Sequence, residues 1–224
     1  MYKFKEKFLE HYSKLTDIKE FCEYCIKPLN KSIRVNTLKI SVKELKEKLN
    51  EYEFKQIPWC KEGFWINGPR TDLGNLLEHS LGYFYIQEAA SMIPPTVLQP
   101  KEHELVLDLA AAPGSKTTQM AAMMKNEGLI IANDVSYYRM LPLVHNLQRC
   151  GVSNVITTVM DARKINGWFD KILIDAPCTG VGTIMGNTQN SRYTLKTYSE
   201  HLIKTLAGIQ KRLVLNLYNN NLKS

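Results

Sequence analysis

The chain has 224 residues, 44% of them hydrophobic and 23% charged, with a formal net charge of +7. That composition fits a globular fold with a buried core and excludes a disordered or fibrous chain. No apolar run approaches the ~20 residues of a membrane span, and the opening MYKFKEKFLEHY lacks a signal-peptide core, so the expectation is a cytoplasmic protein with no membrane partner.

The charge is uneven. Residues 1–55 carry 13 Lys/Arg against 9 Asp/Glu, residues 192–224 carry 6 against 1, and the stretch between carries 10 against 12. Basic ends around a near-neutral middle suit a polyanionic partner such as nucleic acid, although a solvated Lys-rich surface gives the same count. Five cysteines, an odd number, argue against a disulfide framework. Cys22 and Cys25 form a C-x-x-C pair, but a zinc site needs about four ligands and no second pair occurs. Both are expected on a helix, at least one of them buried, and no metal is expected.

In chain order, Phe4, Phe8, Leu15 and Ile18 recur at roughly helical spacing, and Pro28 closes a helical stretch of about thirty residues. SIRVNTLKI then reads as a strand, SVKELKEKLN as a helix opened by a Ser41–Glu44 capping box, and YEFKQIP and GFWING as two short strands. Residues 1–80 are therefore expected to form a helical and α+β module. From about residue 83 the rhythm becomes strand–helix alternation. ELVLDL (104–109), LIIAND (129–134), NVITTVM (154–160) and FDKILID (169–175) are apolar strands, with helices running to Gly128 and over residues 136–150. A further helix is expected over 197–221. Buried strands separated by helices predict an α/β class with a parallel, Rossmann-like sheet over residues 81–224.

Ligands of such sheets sit at the carboxyl ends of the strands. After the first strand comes Asp108-Leu-Ala-Ala-Ala-Pro-Gly-Ser-Lys116, whose small residues let a ligand approach the backbone at a helix start. By spacing alone it is a weak signal, equally an ordinary strand–helix turn. Asp134 ends the second strand, 20 residues beyond Gly114. That is where a ribose-hydroxyl acceptor of a nucleotide-type cofactor sits, and also where a helix cap sits. Asp161 follows the third strand, and Asp175-Ala-Pro-Cys178-Thr-Gly180 follows the fourth. Cys178 reads either as a nucleophile or as a structural thiol.

LDLAAAPGSKTTQMA, ANDVSYYR, NLQRCGVSNV, MDAR and FDKILIDAPCTGVGT together resemble successive motifs of the Sun/Nop family of RNA (cytosine-5) methyltransferases. Upstream, RVNTLK (34–39) and GYFYIQEAASMIPP (82–95) resemble that family's RNA-binding module and its link to the catalytic domain. The similarity runs from about residue 31 to about 213. It implies S-adenosylmethionine (SAM) as methyl donor and tRNA or rRNA as substrate. It implies that the backbone of Ala110, Ala111, Ala112, Pro113, Gly114, Ser115 and Lys116 cradles the methionine end. Asp134 would hold the ribose hydroxyls with Arg139 near by, Asp161 would sit by the adenine, and Asp175 would lie between cofactor and base. Asp175 and Cys178 are the expected catalytic residues.

The family pattern places a second cysteine, the nucleophile, in a Thr-Cys run after an L-K-P-G-G turn. This chain reaches Leu222-Lys223-Ser224 about where that turn should begin, and no Cys follows Cys178. Three explanations are open: a truncated product, half of a split enzyme, or Cys178 as the nucleophile. On this reading the sheet holds about four of seven strands, and the fourth would offer its outer edge to a partner chain. The competing functions are a non-catalytic RNA-binding protein and, less in keeping with the basic ends, a methyltransferase acting on protein or a small molecule.

Overall fold

The computed structural model describes residues 4–184 and 194–221. Leu222–Ser224, where the family's turn is expected to begin, lie outside the described residues. The chain divides into two units, Met1–Leu29 with Ala176–Val214, and Asn30–Asp175 with Leu215–Ser224.

In the first unit the expected single helical stretch is two helices, α1 (Glu6–Ser13) and α2 (Ile18–Ile26). The break falls where Asp17 takes extended backbone and caps α2, its side chain accepting from Glu20 N at 2.9 Å. Phe8, Cys25, Ile184, Leu195 and Tyr198 form the core of this unit. Its aromatic rings lie close, Phe8 to Tyr12 at 4.6 Å and Phe8 to Tyr198 at 5.0 Å. Cys22 and Cys25 both lie on α2, half-buried and buried respectively.

The second unit holds two sheets. The first is antiparallel and is built from β1 (Ser32–Val35), β2 (Glu53–Gln56), β3 (Gly63–Asn67) and β4 (Phe84–Ile86), in the order β2-β3-β1-β4. Ile33, Val35, Phe64, Ile66 and Phe84 cluster with Leu45 of α3 (Val42–Lys48). The Ser41–Glu44 capping box read from sequence opens α3. β4 is a fourth strand that the alternation over residues 31–68 does not reach. Short α4 (Leu77–Ser80) and α5 (Ile93–Leu98) flank it in the chain.

The second sheet is parallel, formed by β5 (Leu105–Asp108), β6 (Leu129–Asp134), β7 (Val155–Val159) and β8 (Lys171–Leu173) in the order β7-β6-β5-β8. The α/β Rossmann-like fold expected from the strands is the fold observed. The chain builds outward from β5 and then returns to β5's other side, so the switch in direction lies beside β5. Among the described residues β8 pairs with β5 alone. α6 (Ser115–Met123) ends short of the expected Gly128, because Lys125 (φ 53°) and Asn126 (φ 62°) turn left-handed. The Asn126 side chain pins that turn, donating to Gly151 O at 3.0 Å and accepting from Ser153 N at 3.2 Å. α7 (Tyr137–Cys150) matches the sequence reading within a residue, and α8 (Glu200–Asn221) starts three residues later than expected. None of the helices among the described residues is long and apolar enough to cross a membrane.

RVNTLK wires the two sheets together. Asn36 Nδ2 donates to Gly82 O and Cys150 O, both at 2.8 Å. Lys39 Nζ donates to Arg149 O at 2.8 Å and Leu81 O at 3.0 Å. Both side chains therefore cap the last carbonyls of α7, where a cation also complements the helix dipole. Gly82 allows this approach: at φ 74° a Cβ there would lie 1.9 Å from Arg149 O. Gly82→Ala should lower unfolding free energy by at least about 2 kcal/mol, through left-handed strain and the clash together. Urea denaturation checks this, and an unchanged midpoint would show that the two segments can separate freely.

Candidate active site

The carboxyl edge of the parallel sheet carries Asp134 at the end of β6 and, after β5, β7 and β8, the loop to Lys116, Asp161 and Asp175. The loop after β5 is held to its neighbours by backbone bonds from Leu109 N to Leu173 O (3.0 Å) and from Ala111 N to Asn133 O (2.8 Å). Gly114, at φ 103°, caps α6 without a side chain, so no side-chain acceptor stands over the first-turn N–H groups. A Cβ at Gly114 would come within 2.9 Å of Leu143 Cδ1, so this turn needs glycine for packing as well as conformation.

Asp134 closes β6 and is 1% exposed. Its Oδ1 accepts from Ser136 N at 3.0 Å. Its Oδ2 lies 3.2 Å from Arg139 Nη1 but has no hydrogen-bond partner. The ion pair and the missing bond are compatible, because the guanidinium is close without being aimed. Arg139 Nη2 donates instead to Ala112 O at 2.7 Å, which ties α7 to the loop. A buried carboxylate oxygen with no partner is an open acceptor, suited to a ligand hydroxyl.

Asp175 follows β8 by two residues and is half-exposed, its Oδ2 2.7 Å from Lys116 Nζ. The loop after β5 and the run after β8 thus meet through one ion pair. Asp161 lies elsewhere in its bonding. It caps the short 3-10 turn Ala162–Lys164 and is gripped by Arg163. The Arg163 guanidinium holds its carboxyl down to about 2. Cys178 alone of the five cysteines is exposed, and its Sγ accepts from Gly180 N at 3.4 Å. Among the described residues no group of three His, Cys, Asp or Glu side chains could hold a metal ion.

Asn133 escapes sequence reasoning, and Asp108 is read there only as the start of the loop, with no role of its own. Asn133, fully buried beside Asp134, donates from Nδ2 to Leu109 O (3.2 Å) and Met160 O (3.0 Å). Its Oδ1 accepts from Thr158 Oγ1 (2.9 Å) and Met160 N (3.1 Å), so one amide locks the ends of three strands. Asp108 is buried at the end of β5. Thr117 Oγ1 donates to its Oδ2 at 2.7 Å, and its Oδ1 has no partner. Burial pushes its carboxyl up to about 6, the Thr117 bond and the Lys116 charge pulling the other way.

With small residues at the backbone, a helix start, an open buried acceptor and a Lys–Asp pair, this edge fits a nucleoside-bearing cation. Comparison with known proteins shows the family. Residues 95–224 match the model of the 16S rRNA methyltransferase RsmB/F family, and residues 3–89 match the N-terminal domain of 16S rRNA methyltransferase RsmF. The chain belongs to the RsmB/F family. The resemblance read from the motifs is thereby borne out.

Among RsmB/F relatives, the tRNA (cytosine(49)-C(5))-methyltransferase of Pyrococcus abyssi is 48% identical over 96% of this chain and 70% of its own length. Ribosomal RNA small subunit methyltransferase F of Aliivibrio fischeri is 52% identical over 74% of this chain, but over only 37% of its own length. Of solved structures, a methyltransferase homologue from Pyrococcus horikoshii superposes with a TM-score of 0.77 at 37% identity, over 97% of this chain and 74% of that one. NSun6 from the same organism, with SFG, gives 0.82 at 25% identity over 95% and 79%.

The Asp108 geometry sets a pH dependence. Its carboxyl titrates near 6 when folded against an ordinary 3.8, so the folded chain holds the extra proton between those values. Stability from this group is therefore greatest at low pH and is lost as pH rises through about 6, by up to about 3 kcal/mol. Asp108→Asn should remove that slope. Urea midpoints of wild type and variant, compared from pH 4 to pH 7, check it, and parallel profiles would mean that Asp108 titrates normally.

Proposed function

We propose that this chain binds SAM at the carboxyl edge of the parallel sheet and serves C5 methylation of cytosine in tRNA or rRNA in the cytoplasm. The observation that carries the reading is the open, buried Oδ2 of Asp134 at the end of β6, beside a loop of small residues. The relatives support it: one is a cytosine-C5 methyltransferase of tRNA, another an rRNA methyltransferase.

When bound, SAM supplies an electrophilic methyl group. Asp134 accepts from the ribose hydroxyls, and Arg139, anchored on Ala112 O, keeps that carboxylate and the loop in register. The backbone of Ala110 to Lys116 would receive the methionine end, and Asp161 would sit on the adenine side. Asp175, held by Lys116, would face the N3/N4 edge of the cytosine. Cytosine C5 is a poor nucleophile until a thiolate adds to C6 and raises the electron density at C5. Loss of the C5 proton and expulsion of the thiolate then restore the ring. Cys178 is assigned to thiol chemistry at the base. By the motif pattern it assists product release, while the adding thiolate belongs to a Thr-Cys run that these 224 residues do not contain.

The module of residues 1–80 is assigned to gripping RNA. Its phosphate contacts make affinity fall steeply with salt. The outer edge of β8 is assigned to a further strand, since an unpaired edge invites one.

Two substitutions test the site by calorimetry. Asp134→Ala should weaken SAM binding by about tenfold or more, the loss of a charged acceptor to bound hydroxyls. Cys178→Ser should leave SAM affinity unchanged, because its thiol serves the base. Unaltered binding in Asp134→Ala would remove Asp134 from the site, and a large loss in Cys178→Ser would misplace the thiol.

A further inference from the structure

Arg34 lies on β1 with only 2% of its surface exposed. Its Nε donates to Gln87 Oε1 at 2.8 Å, and its Nη2 donates to Thr118 Oγ1 at 2.8 Å and Ser115 O at 3.3 Å. All three acceptors are uncharged. Gln87 is itself fixed, its Nε2 donating to Gln119 Oε1 at 3.0 Å. A buried cation held by neutral acceptors carries a large desolvation penalty, and a well-packed apolar side chain would fill the space at lower cost. What the guanidinium adds is direction, since its planar fork fixes several acceptors at once.

Those acceptors sit in the first turn of α6. Ser115 and Thr118 bracket Lys116 and Thr117. Lys116 Nζ holds Asp175 at 2.7 Å, and Thr117 Oγ1 holds Asp108 at 2.7 Å. One helical turn thus carries the Arg34 contacts at its ends and both carboxylate contacts between them. We infer that Arg34 is a positioning residue: from the N-terminal sheet it fixes the first turn of α6, and so sets Lys116 and Thr117 against Asp175 and Asp108. The inference rests on SAM binding to this cradle, and it makes cofactor affinity depend on a residue of the RNA-gripping module that does not touch the cofactor.

The test compares SAM affinity, by calorimetry well below each melting temperature, for wild type, Thr118→Ser, Thr118→Val and Arg34→Lys in the 224-residue chain. Thr118→Ser keeps the hydroxyl acceptor and should bind as wild type does. Thr118→Val and Arg34→Lys should each weaken SAM binding by about tenfold, and the double variant should be little worse than the weaker single, as expected for one shared contact. A role confined to stability would lower the melting temperature and leave affinity alone; wild-type affinity in Thr118→Val overturns the inference. An equal loss in Thr118→Ser overturns it too, because the hydroxyl would then be irrelevant. If Arg34→Lys does not fold, the Thr118 pair decides. Failure of the wild-type chain to bind SAM overturns the assignment of the cradle itself, and the inference with it.

Discussion

The arrangement of this molecule turns on where β1 spends its side chains. Ile33 and Val35 face the core under α3, so Ser32 and Arg34 must face the other way. On that side the antiparallel sheet meets α6, and an unpaired polar group there would be expensive. Ser32 Oγ answers with a bond to Gln87 O at 2.6 Å, and Arg34 with its three bonds. Once β1 is committed in this way, α6 is committed, and with it the loop that begins at Asp108. Asn36 and Lys39, further along the same segment, do the same for the far end of α7. A run of six residues therefore holds the start of one helix and the end of the next.

The carboxylates at the sheet edge divide by environment. Asp161 is pinned by Arg163 and is held ionised well below neutral pH. Asp108, buried with a single strong donor, is the costly one to ionise. Asp175 is open to solvent and balanced by Lys116. Asp134 keeps one oxygen for its own turn and leaves the other in the Arg139 ion pair without a hydrogen bond. The last arrangement leaves a buried acceptor without a donor, which is unfavourable in isolation. Arg139 stands beside Asp134 as an ion pair without a hydrogen bond because its fork is aimed at Ala112 O.

The strands and the acidic residues at their ends were legible because periodicity and position carry them. β6 was read to the residue, and Asp134 and Asp175 fall where strand ends place them. What stayed hidden depends on partners far away in the chain. Nothing local distinguishes the Asn133 amide from a polar residue on an open strand, yet its partners lie about 25 residues away on both sides. β4 is three residues long, too short for alternation to register, and its pairing with β1 depends on contacts some 50 residues apart. RVNTLK resembles part of an RNA-binding module, and only the structure shows that Arg34 and Asn36 turn inward while Thr37 and Lys39 stay exposed. The sequence carries the motif; the direction of each side chain depends on the sheet around it.

That inward turn changes how the positive charge should be read. Of the 13 cations in residues 1–55, Arg34 is buried, and Lys5, Lys31 and Lys39 give their ammonium groups to backbone carbonyls. Lys5 closes the carbonyls of Lys196 and Tyr198, and Lys31 that of Thr71. A cation holding a carbonyl keeps its charge, so it still contributes to the long-range field that draws a polyanion in. Its position is fixed by that bond, although an ammonium has three donors and here keeps at least one of them uncommitted. The lysines of α3 stand differently: the Lys46 ammonium lies over the Phe64 ring, 4.4 Å from its centroid, and that of Lys48 over the Tyr83 ring at 6.0 Å, as cation–π contacts.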